Sequence, residues 1–147
     1  MIAIESARTS DLPSVRDLIL AAGLPLDGFG AVPTETYVAR DRGVVVGTAS
    51  LETHGGDGLL RSVAVDEIRR GERIGAALAG AAEARAREAG LAGVYLLTET
   101  APDFFAHRGY VVIDRDAGPG PIMASVEWSV GCGDTAVPML LKVEPGA

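Results

Sequence analysis

The stretch with the clearest chemical content is Arg69-Arg70-Gly71-Glu72-Arg73-Ile74-Gly75. Three of the 13 Lys and Arg residues fall within five positions, where an alanine-rich helical pattern begins. A helix start exposes unpaired N–H groups and partial positive charge, so clustered arginines are unfavourable there unless an anion arrives. Gly71 and Gly75 let backbone amides come close to such an anion, as at phosphate-binding helix starts. The other reading is a solvated turn whose arginines pair with Asp66, Glu67 and Glu72. Neither Gly-x-x-x-x-Gly-Lys-Ser/Thr nor a Gly-x-Gly-x-x-Gly after the first strand is present, which excludes two well-known phosphate loops. His54 and His107 stand far apart with no matching acidic or cysteine pattern, so no metal site is expected. Cys132 is the lone cysteine, which allows no internal disulfide and no multi-thiolate site, and fits a reducing cytosol.

These residues need elements to hold them. Ile2 and Ile4 alternate with Ala3 and Glu5 as a first strand, and apolar positions from Leu12 to Ala22 predict a helix stopped by Gly23. A Gly/Pro-rich loop of about ten residues, Leu24 to Pro33, exceeds the usual connection length and is either functional or an ordinary surface loop. Strands follow at Thr36 to Arg40, Val44 to Leu51 and Leu59 to Val65, with a tight hairpin at Asp41-Arg42-Gly43. A long helix from Ile74 to Ala89 then leads to an apolar strand at Val94 to Thr98. That order implies a parallel pair grafted onto an antiparallel meander. A short helix from Pro102 to Gly109, a strand at Tyr110 to Asp114, a brief helix around Ile122 to Trp128 and a last strand at Ala136 to Val143 complete the chain. Pro138 cannot donate to a ladder, which predicts that the last strand lies at an edge or carries a bulge. An exposed edge there makes a homodimer reasonable.

The chain's 147 residues make one domain, 1–147, and 48% hydrophobic against 22% charged residues, with a mean hydropathy of +0.24, suit a packed core. A formal charge of -7 argues against extended nucleic-acid or anionic-membrane surfaces. Met1 to Arg8 lack the basic start and apolar run of a signal peptide, and no stretch of about 18 apolar residues occurs. A cytoplasmic protein is expected.

Arg70-Gly71-Glu72-Arg73-Ile74-Gly75, following the strand that ends at Val65 and opening a long helix, resembles the acyl-CoA loop of the GNAT superfamily of acetyl-CoA-dependent N-acetyltransferases, Gln/Arg-x-x-Gly-x-Gly/Ala. Arg70 matches the first position and Gly75 the last, whereas Arg73 replaces the middle glycine. Phe104-Phe105-Ala106-His107-Arg108-Gly109-Tyr110 is similar to the closing Phe-Tyr-x-x-x-Gly-Phe segment. Leu60 to Val63, Tyr95 to Ala101 and Cys132 to Ala136 look like the arsenic-resistance branch, whose acceptors are amino-acid-like and carry an arsenic or phosphorus acid group. The resemblance spans nearly the whole chain. It implies an α/β fold with a mixed, mainly antiparallel sheet of about seven strands, flanking helices and a parallel fourth and fifth strand.

The resemblance also implies direct transfer, in which an amine attacks the thioester of acetyl-CoA. Backbone groups of Val63, Ala64 and Val65 would hold the pantetheine arm, with the Val63 amide favoured for the oxyanion. Arg70, Gly71, Glu72, Arg73, Ile74, Gly75 and Ala76 would hold the pyrophosphate, and Phe105 would border the cofactor. Glu99, just past the fifth strand, leads as the base, with Glu52 and Glu127 as competitors. Arg61, Thr98 and Thr100 are the expected acceptor-side residues, Arg61 gripping an acid group bidentately. Phe105 stands where relatives often carry a tyrosine, so no general acid is assigned, although Tyr110, Tyr95, His107 or water could substitute. The partner is a small-molecule amine. The competing reading is an acyl-CoA-binding module without catalysis.

Overall fold

The computed structural model describes residues 2–131 and 135–143. Seven strands form one sheet: β1 (Ile2–Ser6), β2 (Thr34–Asp41), β3 (Val44–His54), β4 (Asp57–Val65), β5 (Gly93–Thr98), β6 (Val111–Val112) and β7 (Val137–Lys142). Their order is β1-β2-β3-β4-β5-β7-β6, antiparallel throughout except for β4 and β5. The helices are α1 (Leu12–Ala21), α2 (Ile74–Glu88), α3 (Pro102–His107) and α4 (Gly120–Met123).

Each face of the sheet has its own cover. Ile74, Leu78, Ala79, Ala82 and Ala86 of α2 are buried with Ala49, Leu51, Leu60, Val94 and Leu96. The alanines let the helix lie close to the sheet; a methyl group on Gly47 would meet Leu78 Cδ1 at 2.9 Å and Ile74 Cγ2 at 3.0 Å. Full burial of Ile74 and Leu78 stabilises this contact by about 2 kcal/mol each. On the other face, Val15 and Ile19 of α1 pack with Val38, while Leu59, Tyr95 and Leu97 pack with Ile122 and Trp128.

Two features of β4 open a gap in the sheet. Its parallel pairing with β5 covers only Gly58↔Val94 and Leu59↔Tyr95, after which the strands separate. Its pairing with β3 slips from Thr48↔Ala64 to Ser50↔Arg61, so Ala49 faces both Ser62 and Val63. This is a bulge, which bends a strand and increases its twist, and Ser62 adopts the left-handed conformation it requires, at φ 59°. From Leu60 to Val65 no described strand pairs with β4 on the side of β5.

The last strand corrects one expectation. β7 is not an edge strand; it lies between β5 and β6. Pro138 is tolerated because its carbonyl accepts from Ile113 N on the outer side, just past the end of β6, so the missing N–H faces that side and leaves the ladder with β5 intact. The edges are β1 and β6. The strand expected at Tyr110 to Asp114 shrinks to Val111–Val112, because Tyr110 turns inward, 3% exposed, and its hydroxyl donates to Glu83. Cys132, part of the arsenic-resistance resemblance, lies outside the described residues.

Candidate active site

The anion loop is built locally. The Asp66 carboxylate accepts from Ile68 N at 3.2 Å and opens a 3-10 turn over Glu67–Arg69. Gly71 (φ 93°) and Arg73 (φ 62°) then reverse the chain into α2. Arg73 is the N-cap and supplies no side-chain cap, and the first helical bond is Ala77 N to Arg73 O. The amides of Ile74, Gly75 and Ala76 therefore have no partner within the helix. Of the three arginines, Arg69 follows the solvated-turn reading: it pairs with Glu72 at 2.8 Å and with Asp41 at 2.9 Å. Arg70 and Arg73 are exposed and have no side-chain partner among the described residues. The loop thus combines open amides with two unpaired guanidinium groups, a set suited to a pyrophosphate.

Where β4 and β5 separate, a cleft of about 370 Å³ opens between Arg61, Ser62 and Val63 on one side and Leu97 to Ala101 on the other. Phe104 and Phe105 close one end and Leu24 and Pro25 of the α1–β2 loop close another. The two phenylalanines meet edge to face at 4.9 Å, and Phe105 continues in the same way to Tyr110 at 5.5 Å. Thr98 Oγ1 accepts from Ala101 N and fixes the turn that presents Glu99 and Thr100, both exposed. Thr135 donates to Glu99 Oε1 at 3.0 Å. The structure therefore gathers Arg61, Val63, Thr98, Glu99, Thr100 and Phe105 around one cleft.

The cleft floor holds a buried charge cluster. Arg61, 2% exposed, donates from Nη1 to Glu52 Oε2 (3.2 Å) and the Asp27 carbonyl (2.8 Å). Its Nη2 donates to the Pro25 carbonyl, and its Nε to Ser62 Oγ, with Glu127 Oε1 also 3.2 Å from Nε. Its carbon Cζ lies 5.8 Å from the Phe29 ring centroid. The guanidinium expected to grip an acceptor acid is instead a clamp tying the Gly/Pro-rich loop to β4, with one Nη2 hydrogen left over. Glu52 Oε1 bonds His54 Nε2 at 2.8 Å, which gives His54 a partner that sequence spacing alone did not reveal. Glu127, in a π-helical turn over Glu127–Gly131, is 3% exposed and lines the cleft. Burial pushes its carboxyl up to about 7, Glu52 adds to the rise, and Arg61 offsets part of it.

The candidates for a general acid lie elsewhere. Tyr110 donates to Glu83, which also pairs with Arg108 at 2.6 Å, and burial pushes its phenol well up. Tyr95 stacks edge to face on Trp128, and His107 Nδ1 contacts the Asp103 carbonyl. None of the three borders the cleft. Ser62 does, and it was not visible in the sequence because only the bulge turns it there.

Solved structures share this architecture. N-acetylglutamate synthase from Neisseria gonorrhoeae, complexed with coenzyme A and N-acetyl-glutamate, superposes with a TM-score of 0.82 at 18% identity over 98% of this chain. This chain spans only 35% of that one. A GNAT-family acetyltransferase from Staphylococcus aureus is similar at a TM-score of 0.77 and 17% identity, over 98% of this chain and all of the other. Rv2747 from Mycobacterium tuberculosis, in complex with CoA, is 26% identical with a TM-score of 0.77, over 95% of this chain and 98% of the other. No curated protein sequence matches the chain at a significant level. The acetyltransferase (GNAT) domain model matches residues 33–112, from the start of β2 through β6 and including the loop, the bulge and the separating strands. With more than half of its length matched, the chain belongs to the GNAT acetyltransferase family and carries its acyltransferase domain.

Proposed function

We propose that the chain transfers the acetyl group of acetyl-CoA to the amine of a small, amino-acid-like molecule, with arsenic or phosphorus oxyacid analogues among the candidates. The observation that carries this reading is the separation of β4 from β5 after Leu59↔Tyr95. It leaves the backbone of Val63, Ala64 and Val65 free to pair with a pantetheine arm, in line with the amides and arginines from Arg70 to Ala76 for the pyrophosphate. The bulge at Ser62 and Val63 would bring a backbone amide to the thioester oxygen, where a developing oxyanion needs a fixed donor. Phe105 packs against the sulfur end of the arm.

A cleft of about 370 Å³ fits an acceptor of amino-acid size better than a peptide or aminoglycoside. The gonococcal synthase, with coenzyme A and N-acetyl-glutamate in one structure and L-arginine in another, lends support from the same fold. On the acceptor side, Glu99 at the rim attracts an ammonium group, and Thr98 and Thr100 offer hydroxyls. A cytoplasmic homodimer joined at an open sheet edge completes the reading.

Isothermal titration with acetyl-CoA tests the first half: saturable binding is expected, and no binding at millimolar ligand overturns it. A thiol-release assay across amino acids, phosphinothricin-like and arsinothricin-like compounds, polyamines and aminoglycosides tests the second. Turnover confined to the amino-acid-like members is expected; turnover confined to polyamines or aminoglycosides overturns the acceptor class.

A further inference from the structure

Among the described residues, Glu127 is the one carboxylate that is both buried and on the wall of the cleft. Its single partner among the described residues is Arg61 Nε, on Oε1. No described residue hydrogen-bonds to Oε2, and no fully enclosed side-chain oxygen in the described structure lacks a partner, so Oε2 keeps some exposure in a residue that lines the cleft. Glu99 lines the same cleft but is exposed, and its Oε1 already accepts from Thr135. We propose that Glu127 is the catalytic base of the acetyl transfer, held in place by Arg61, with Glu52 as a second, positioning carboxylate.

The proposal rests on the acetyl-transfer reading and takes over the role expected of Glu99. An acceptor arriving as an ammonium ion gives one proton to Glu127 Oε2. The freed amine attacks the thioester carbonyl, the C–N bond forms and the C–S bond breaks. The second N–H proton leaves with the sulfur as CoA thiol, and Glu127 releases its proton to solvent. The products are the N-acetyl amine, CoA thiol and one proton, so the step balances without a separate acid, in a protein whose Phe105 and distant Tyr110 supply none.

The charged groups around Glu127 are few. Arg61 comes from β4, Glu52 from β3 with His54 behind it, and Glu99 shares the cleft from the end of β5. The α1–β2 loop contributes the Pro25 and Asp27 carbonyls, both directed at Arg61, and Arg115 donates to the carbonyl of neighbouring Trp128. Two carboxylates share one guanidinium, so Glu127 is only partly neutralised by Arg61 and feels the like charge of Glu52, which raises its affinity for a proton.

The test compares pH profiles of kcat/KM for the full chain, its E127Q, E52Q and E99Q variants, and acetyl-CoA affinity for each. E127Q is expected to lower kcat by roughly 100-fold or more, to lose the acidic limb and to keep its acetyl-CoA affinity within about twofold. E52Q is expected to move the limb to lower pH by about half a unit or more. E99Q raises KM and keeps the limb. A limb that persists in E127Q, or kcat within threefold of the parent, overturns the proposal. Should E127Q fail to fold, the E52Q shift decides. Acetyl-CoA binding without turnover on any amine would sink the acceptor reading alone. Glu127 is then read from the infrared difference spectrum of the parent minus E127Q with acetyl-CoA bound: a carboxyl titrating near neutral pH supports it, and one ionised throughout overturns it.

Discussion

Arg61 Nε lies 3.2 Å from Glu127 Oε1 although both side chains are almost wholly sealed from solvent. Arg61 neutralises one of two buried glutamates and holds the α1–β2 loop through two carbonyls. Removing one member of such a group leaves the others as uncompensated buried charge. Arg61→Met is expected to cost about 3 kcal/mol or more at pH 8, and less at pH 6, where Glu127 can protonate. Arg61→Lys recovers little, because a single ammonium cannot serve acceptors spread around a planar fork. Urea unfolding midpoints at the two pH values check this; a loss independent of pH would count against the clamp.

Ser62 carries the bulge at φ 59°. Glycine accepts that conformation without penalty, whereas a β-branched residue does not. Ser62→Gly is expected to keep stability within about 0.5 kcal/mol, while Ser62→Val loses about 1 to 2 kcal/mol and weakens acetyl-CoA binding by straightening β4. Thermal unfolding and titration calorimetry on the pair separate the two. Equal affinity in both variants would mean that the bulge does not shape the cofactor edge.

Which features sequence could reveal depends on how local their causes are. The loop from Arg69 to Gly75 was legible because its conflict, arginines at a helix start, lies within seven consecutive residues. The parallel β4–β5 pair was legible from the strand-helix-strand order. Glu52, Arg61 and Glu127 come from three separate elements, and only the β3–β4 register and a fold-back of the segment after α4 unite them, so no spacing announces the cluster. Arg61 looked like a ligand-binding residue because its acceptors, the carbonyls of Pro25 and Asp27, leave no trace in side-chain pattern. Pro138 misled for a related reason: a missing N–H excludes hydrogen bonding on one side of a strand, and the two-residue β6 ends before reaching it.

Arg73 occupies the left-handed region at φ 62°, where the family pattern has glycine. Arg73→Gly is expected to raise stability by about 0.5 to 1 kcal/mol while lowering acetyl-CoA affinity a few-fold through the lost charge. Arg70→Ala lowers affinity with no gain in stability. Both losses shrink as salt is raised, since screening weakens contacts between exposed charges and phosphate. Calorimetric titration at two ionic strengths checks them, and unchanged affinity in both variants would remove these arginines from the cofactor site.

Glu83 of α2 tests whether the opposite face is structural only. Arg108 donates to both its oxygens and Tyr110 to Oε2, which ties α2 to the segment after α3. Glu83→Ala strands a buried hydroxyl and a partly buried cation and is expected to cost about 3 kcal/mol. At a temperature where the variant stays folded, acetyl-CoA affinity is expected to match the parent. A large loss of affinity without a loss of stability would instead assign this network to the site.

Stability against pH should show two windows of opposite sign. Glu127 is held up at about 7 from an ordinary value of 4.5, so its protonated form is favoured by folding. Its contribution is complete below about pH 4.5 and is lost as pH rises through 7. Asp11 behaves the other way: hydrogen bonds from Arg40 and from Arg8 N bring it down to about 2 from 3.8. Its contribution is present above that ordinary value and is lost as pH falls toward 2. Thermal midpoints are therefore expected to decline from pH 5 to pH 8 in the parent and to flatten over that range in E127Q. The acid loss below pH 4 should persist in E127Q and shrink in Asp11→Asn. A decline above pH 5 that survives in E127Q would show that a group other than Glu127 carries the buried proton.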